Sequence, residues 1–533
     1  LGLSIAPILL VIYSANGTFL TAADTEVNAR SAWNLVEHQS FLMTPRSSPD
    51  YYHWKVAGPK GTHDVRVTYF DQRIEELVQK QQLYVEQESY LVRASRWPGY
   101  AFNTFGFGVS TTSAPIMACL DPWLSDPETK YAWLWKGGKI AASLFVAGSA
   151  VWVYLTLVRY LHPVSAWCLT LAYGLGTSVW SISSQALWPH GPSEFFLAMG
   201  TYALVRSKDH GSWGAWCGFA FACATCCRQP SAMAVLAAGL YFLFVDRRAL
   251  ILFVLAGLPL ALAMFGFNAW CYGSPFHFGE LLVPQLARET TGNDAMWQTP
   301  LHVGLAGLLM SPSRGLFVYS PFLVASLWGF VRIWKTRHWI ELRPVTGAIL
   351  AMWLVHSRYF DWWGGWSFGY RHIVDSTTLM VICLVPLANI ALRPWSQWLF
   401  GGLLAWSIGV QAIGAWAFDI EGWNNRRAVV SPLGETVVVH RYLPSPILDS
   451  PTPPLLAGES IAELDIDRPE NRHRLWSWTD NQILYYLQHW NQSILARQKW
   501  NAYVARGTHR REEETWESLR VGLRAVGLPE PKP

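Results

Sequence analysis

Charged residues are scarce in this chain. They make up 15% of its 533 residues, against about 25% in a typical soluble domain, and that shortage excludes an ordinary water-exposed surface over most of the length. Long runs of one charge are absent too, and a formal charge of +4 leaves no electrostatic footprint for a nucleic-acid partner. Cysteine excludes little and suggests little. The eight Cys form no metal pattern; Cys217, Cys223, Cys226 and Cys227 fall in one apolar stretch as small core residues. The adjacent pair Cys226–Cys227 is not the C-x-x-C spacing of redox work. Ligand clusters for zinc and facing histidines for haem are likewise missing.

What is present is apolar and aromatic. The chain is 51% hydrophobic and contains 31 Trp, and its mean hydropathy is +0.16. Repeated apolar runs of roughly 16–22 residues place it among polytopic α-helical membrane proteins. Trp collects at membrane–water interfaces, and its flat face also suits stacking on sugars. The expected segments are 1–13, 139–158, 164–182, 191–205, 213–227, 230–245, 250–270, 317–334, 345–357, 373–392 and 396–417. Leu1 stands inside an apolar run with no cleavage motif after it, so the run is expected to be the end of a first membrane helix, with residues missing ahead of it.

Basic residues set an orientation. Arg159, Arg206, Lys208, Arg247, Arg248, Arg332, Lys335, Arg337 and Arg393 fall at alternate junctions, which makes those junctions cytoplasmic. The expectation is an all-α polytopic membrane protein of about 11 transmembrane helices. Residues 1–417 form the membrane domain, with outer loops at 14–138, 271–316 and 358–372, and 418–533 is an extracytoplasmic tail, Pro-rich and then helical. In the first loop, "FDQRIEELVQKQQLYVEQESYLV" (70–92) has Ile74, Leu77, Val78, Leu83 and Val85 spaced as in a helix lying along the membrane surface.

Four places can carry chemistry. Just after the first segment, "TAADTEVNAR" (21–30) sets Asp24 and Glu26 ahead of Arg30. Carboxylates there serve either as a helix N-terminal cap or as a general base or cation ligand. In "SPSRGLFVYSP" (311–321), Arg314 at a helix start suits a phosphate or anchors lipid headgroups. "DWWGGWSFGYRH" (361–372) combines Trp362, Trp363 and Trp366 with Gly364, Gly365 and Gly369, flanked by Arg358 and containing Arg371 and His372. Glycines there permit positive φ or close approach of a ligand. Asp375 follows inside an apolar segment, where a carboxylate costs about 2.5–3.5 kcal/mol and needs a partner; Arg371 or His372 is expected to be it. Finally, His190 and Glu194 share one face of a helix start.

Together, "AADTEVNAR", "LGTSVWSISSQALWPHGPSE", "YGSPFHFGE", "LLMSPSRGLFVYSP", "YFDWWGGWSFGYRH" and "RLWSWTDNQI" resemble bacterial GT-C-type glycosyltransferases, the class of protein O-mannosyltransferases and the aminoarabinose transferase. The resemblance spans about residues 20–485. It implies a GT-C-like helical bundle in the bacterial inner membrane with a large first periplasmic loop, and a sugar taken from a polyprenyl-phosphate donor to an acceptor hydroxyl. It implies Asp24 as catalytic base, with Glu26 beside it, although relatives with two adjacent acids lack the intervening Thr25. Phosphate and substrate contacts fall to Arg30, His190, Arg314, Arg358, Trp362, Trp363, Trp366, Arg371, His372 and Asp375. No cofactor is assigned, a divalent cation is left open, and the partners are the lipid-linked sugar and the bilayer. Two other readings stand beside it. One is a non-catalytic subunit that binds a protein partner through its Trp- and Tyr-rich tail; the other is a lipid-linked-sugar transporter.

Overall fold

In the computed structural model, the described residues are 1–88, 92–94, 100–126, 128–282, 296–388, 393–433, 436–442 and 454–529. Most of the Pro-rich stretch at 444–454 and part of the 271–316 loop lie outside them. The chain divides into two units. One comprises residues 1–22, 142–261 and 284–501; the other comprises 23–141, 262–283 and 502–533. The stretch 418–533, read from sequence as a tail, contributes to both.

The first unit is a helical bundle. Helices Gly2–Ser14, Pro163–Gly176, His190–Arg206, Trp213–Cys227, Ala232–Val245, Val324–Lys335, Arg343–Arg358 and Val374–Ile382 fall on the apolar runs. Among the described residues, Lys130–Leu157, Arg247–Tyr272, Arg371–Ala388 and Pro394–Ala417 are long and apolar enough to cross a membrane. Small residues let the helices approach: a β-carbon on Gly218 would collide with the backbone of Phe253, and one on Gly200 with the Phe221 ring. Cys223 and Cys226 do stand at C-x-x-C spacing, but on a helix, buried and unbonded. Three antiparallel strands, Asn425–Leu433, Thr436–Tyr442 and Ser460–Asp465, follow the last long helix.

The second unit is mixed. Its sheet has Tyr52–Gly58 between Gly61–Val65 and Leu83–Glu88, all antiparallel. Tyr52, Trp54 and Val56 alternate inward, the period-2 pattern of a half-buried strand. Helix Thr508–Ala525 supplies Leu519 and Leu523 to the same core, joined by Val526. Helix Ala23–His38 lies against Gly108–Ala118, with Ser110 Oγ donating to Ser31 Oγ at 2.8 Å.

Two expectations need correction. The chain is mostly helical but not all-α, because strand periodicity in the first loop and after residue 424 is short and easily hidden between apolar helices. The 70–92 stretch is not one surface helix. Asp71 caps a helix that runs only from Gln72 to Gln79. Gln81 then takes φ 56°, a left-handed step that ends it, and Leu83 and Val85 continue in a strand. Ile74 and Leu77 are buried in the unit's own core, so the apolar face is already covered.

Candidate functional site

Four helix ends of the first unit bring charged side chains together. Arg228 follows Trp213–Cys227, His190 and Glu194 open the helix His190–Arg206, His356 closes Arg343–Arg358, and Asp375 opens Val374–Ile382. Asp375 accepts from Arg228 Nη1, and its Oδ1 lies 3.3 Å from His190 Nδ1. Its partners are thus on two other helices, whereas the sequence points to the neighbouring Arg371 or His372. Arg228 Nη2 also donates to the His372 carbonyl at 2.9 Å. His372 stacks on His356 with centroids 5.3 Å apart, and the guanidinium of Arg371 lies 4.3 Å from the centre of the Trp188 ring. Ser183 Oγ donates to Glu194 Oε1 at 2.7 Å, while Glu194 Oε2, His356 Nε2 and His372 Nε2 are buried without a hydrogen-bond partner.

Arg228 and His190 thus pair with Asp375, His372 and His356 join the group through Arg228, and Glu194 adds a second buried carboxylate. Buried atoms left without partners call for an explanation, of which strain, a bound water or ion, and a reaction are the usual ones. Arg228 and His356 are absent from the sequence-derived set. An arginine between two apolar helices, in "RQP", is the signal that could have found the first; His356 gives none, because a single His on an apolar helix reads as core.

The Trp–Gly loop belongs to the same unit and is fastened from several sides. Trp363 Nε1 donates to Asp467 and Trp366 Nε1 to Asp465, each at 2.8 Å. Trp362 packs against Trp476, with centroids 5.6 Å apart. Gly364, Gly365 and Gly369 all take positive φ, at 79°, 59° and 62°, which L side chains resist. Gln482 closes the loop, donating to the Ser367 carbonyl at 2.7 Å and accepting from Gly369 N at 3.1 Å.

Arg314 is 1% exposed. Its Nε donates to the Trp363 carbonyl, Nη1 to Ser313 O, and Nη2 to Gly365 O and Asn424 Oδ1. Burial lowers its pKa to about 10. With its donors held by the protein, Arg314 acts as a clamp on the loop, and this geometry does not offer it to a phosphate. Arg358 is exposed and donates to the Trp297 carbonyl at 3.0 Å. Asp361 accepts from Gly365 N at 3.0 Å; burial, then the neighbouring Asp467 carboxylate, raises its pKa to about 8.

In the second unit, Asp24 and Glu26 lie in the first turn of Ala23–His38, both half-buried. Arg30 is buried and occupied: it donates to Glu26 Oε1 at 2.6 Å and to Asp50 at 2.9 and 3.0 Å. Arg511 approaches Asp50 Oδ2 to 3.2 Å, and its guanidinium lies 3.5 Å from the Tyr131 ring centre. Burial opposes ionisation of Asp50, but Arg30 and Arg511 outweigh it and hold the carboxyl below its ordinary range. This network fixes the acid-bearing helix, and Asp50 and Arg511 were not legible as parts of it.

Among the described residues, no three His, Cys, Asp or Glu side chains are grouped as metal ligands. Among solved structures, the chain is similar to the crystal structure of ArnT from Cupriavidus metallidurans bound to undecaprenyl phosphate. The identity is 10% over 78% of this chain and 69% of that one, with a TM-score of 0.42. No protein-family model matches the chain, and no curated protein does.

Proposed function

We propose that this chain is a membrane glycosyltransferase that moves a sugar from a polyprenyl-phosphate donor to an acceptor hydroxyl at the outer face of a bacterial inner membrane. The observation that supports it best is the guanidinium of Arg371 over Trp188, beside the buried group of Arg228, Asp375, His190, His356 and His372 at the same helix ends. Cationic donors held in a water-poor setting stabilise an anionic leaving group, commonly the largest catalytic contribution. In this reading the eleven apolar segments all cross the membrane, residues 418–533 lie outside, and the cluster sits at the outer ends of its helices.

Asp24 accepts the proton of the acceptor hydroxyl, and that oxygen attacks the anomeric carbon. The bond from this carbon to the phosphate oxygen breaks, and polyprenyl phosphate departs with its charge balanced by Arg371. Arg30 and Glu26 position the helix of Asp24, and the Trp–Gly loop with Arg358 walls the sugar pocket.

Mass spectrometry of lipids that copurify with the chain tests this. Polyprenyl phosphate or its sugar conjugate is expected with wild type and lost in Arg371→Ala. Bulk phospholipid alone in both samples would overturn the donor assignment. A second reading, a non-catalytic subunit of a larger membrane complex, is favoured by the exposed Trp478 and Leu487, at 67% and 53%. Migration as a lone chain in mild detergent counts against it.

A further inference from the structure

Trp188 stands in the short turn ahead of the helix His190–Arg206 and is 1% exposed. The guanidinium of Arg371, a half-buried residue, lies 4.3 Å from the centre of its ring. The indole is thus closed off from solvent, while the arginine that lies on it is not. The stem of Arg371 is held as well. A β-carbon on Gly364 would come 3.4 Å from Arg371 Cβ, so the Trp–Gly loop backs the start of the side chain and the indole carries its end. The other guanidinium of the group is engaged elsewhere, since Arg228 donates to Asp375 and to the His372 carbonyl.

We infer that Trp188 is a positioning residue: its indole face holds the guanidinium of Arg371 in the orientation that receives a phosphate monoester. This rests on the proposed reading, which gives Arg371 the leaving phosphate, and adds the residue that fixes the cation. Stacking engages the flat face of a guanidinium, and its N–H donors lie in the plane at its edges. A lysine ammonium has no such face. Trp is the best of the aromatic rings for holding a cation, and the contact strengthens when it is out of water. An arginine fixed before the ligand arrives loses less freedom on binding. Trp188 Nε1 is buried without a hydrogen-bond partner among the described residues, although a buried indole N–H usually has one. That sets a rival role, donation of the N–H to the ligand itself. Fluorination of the ring separates the two, because it weakens the π face and strengthens the N–H as a donor.

The test places mono-, di- and tetrafluorotryptophan at position 188 of the full chain in nanodiscs and measures the Kd of farnesyl phosphate. Farnesol and inorganic phosphate are the comparison ligands. The fluorinated rings nearly keep the shape of Trp, which protects the fold. Kd is expected to rise stepwise with fluorine content, by about threefold to thirtyfold in all. In Arg371→Ala, itself weakened, fluorine content should change nothing, and Arg371→Lys should bind about threefold or more weakly than wild type despite its charge. A Kd independent of fluorine content overturns the inference, as does a Kd that falls with it, the sign of N–H donation. Wild-type affinity in Arg371→Lys also overturns it. The two claims fail separately. Farnesyl phosphate bound no more tightly than inorganic phosphate, with the fluorine trend intact, removes the lipid donor and leaves Trp188 in its role. Tight binding of farnesyl phosphate without the trend removes Trp188 and leaves the donor site. No phosphate bound by wild type, or farnesol bound as tightly as its phosphate, overturns both.

Discussion

Arg228 and Asp375, 147 residues apart in sequence, meet as a buried guanidinium–carboxylate pair. Removing one member of such a pair strands the other and costs about 3–5 kcal/mol, whereas replacing both with apolar groups of similar volume is often nearly neutral. Arg228→Ala is therefore expected to lower the thermal midpoint by several degrees, and Arg228→Met with Asp375→Leu to recover much of the loss. Thermal unfolding in nanodiscs measures this. Equal midpoints for wild type and Arg228→Ala would mean that the pair contributes nothing.

Asp24→Asn separates the base role from the charge at the helix start. Asp24 lies in the first turn of its helix, where losing a charge costs about 0.3–1 kcal/mol, so the fold should persist, but proton acceptance is lost and transfer should slow by about 10²–10⁴. Glu26→Gln keeps an acceptor for Arg30 and should reduce the rate far less. A transfer assay with a polyprenyl-phosphate sugar reads both; full activity in Asp24→Asn removes the base assignment.

Asp361 predicts a pH dependence. The folded chain keeps its proton up to about pH 8, while the unfolded chain releases it near the ordinary value of 3.8. Between those values the folded state binds more protons, so stability falls as pH rises through the window. Asp361→Asn retains an acceptor for Gly365 N and removes the ionisation. It should exceed wild type in stability at pH 8.5 by more than at pH 5; chemical unfolding at the two pH values gives the comparison, and a constant difference would refute it.

The helix Thr508–Ala525 should be indispensable to the second unit. Leu519 is fully buried, and Leu→Ala at such a site costs about 2–5 kcal/mol. Leu519→Ala, and more severely a chain cut after Val504, should make residues 23–141 sensitive to limited proteolysis while Leu519→Met leaves them resistant. Equal resistance throughout would show that the helix is dispensable.

The apolar runs were legible as helices because a 16- to 22-residue hydrophobic stretch, roughly a membrane's thickness, leaves few alternatives. Asp375 was legible as needing a partner for the same reason. Which partner was not, since Arg228 reaches it only through the packing of separate helices. The Trp–Gly loop announced its positive φ angles through its glycines, but not that Asp465, Asp467 and Gln482 would hold it. The strands at 52–65 and 83–88 were missed because a few alternating residues between charged ones carry a weak signal. The network of Asp50 and Arg511 joins positions more than 400 residues apart, beyond any local pattern.

Thr68 N donates to the hydroxyl of Thr515, 447 residues further along the chain. During synthesis, the sheet of the second unit waits for nearly the whole polypeptide before its last helix exists. Contacts of such separation close slowly, so the nascent chain exposes the unfinished apolar side of that sheet throughout elongation. A holdase or the translocation machinery is then expected to shield it, and premature termination near the 3′ end of the message would yield a protein with an incomplete first loop as well as a short tail.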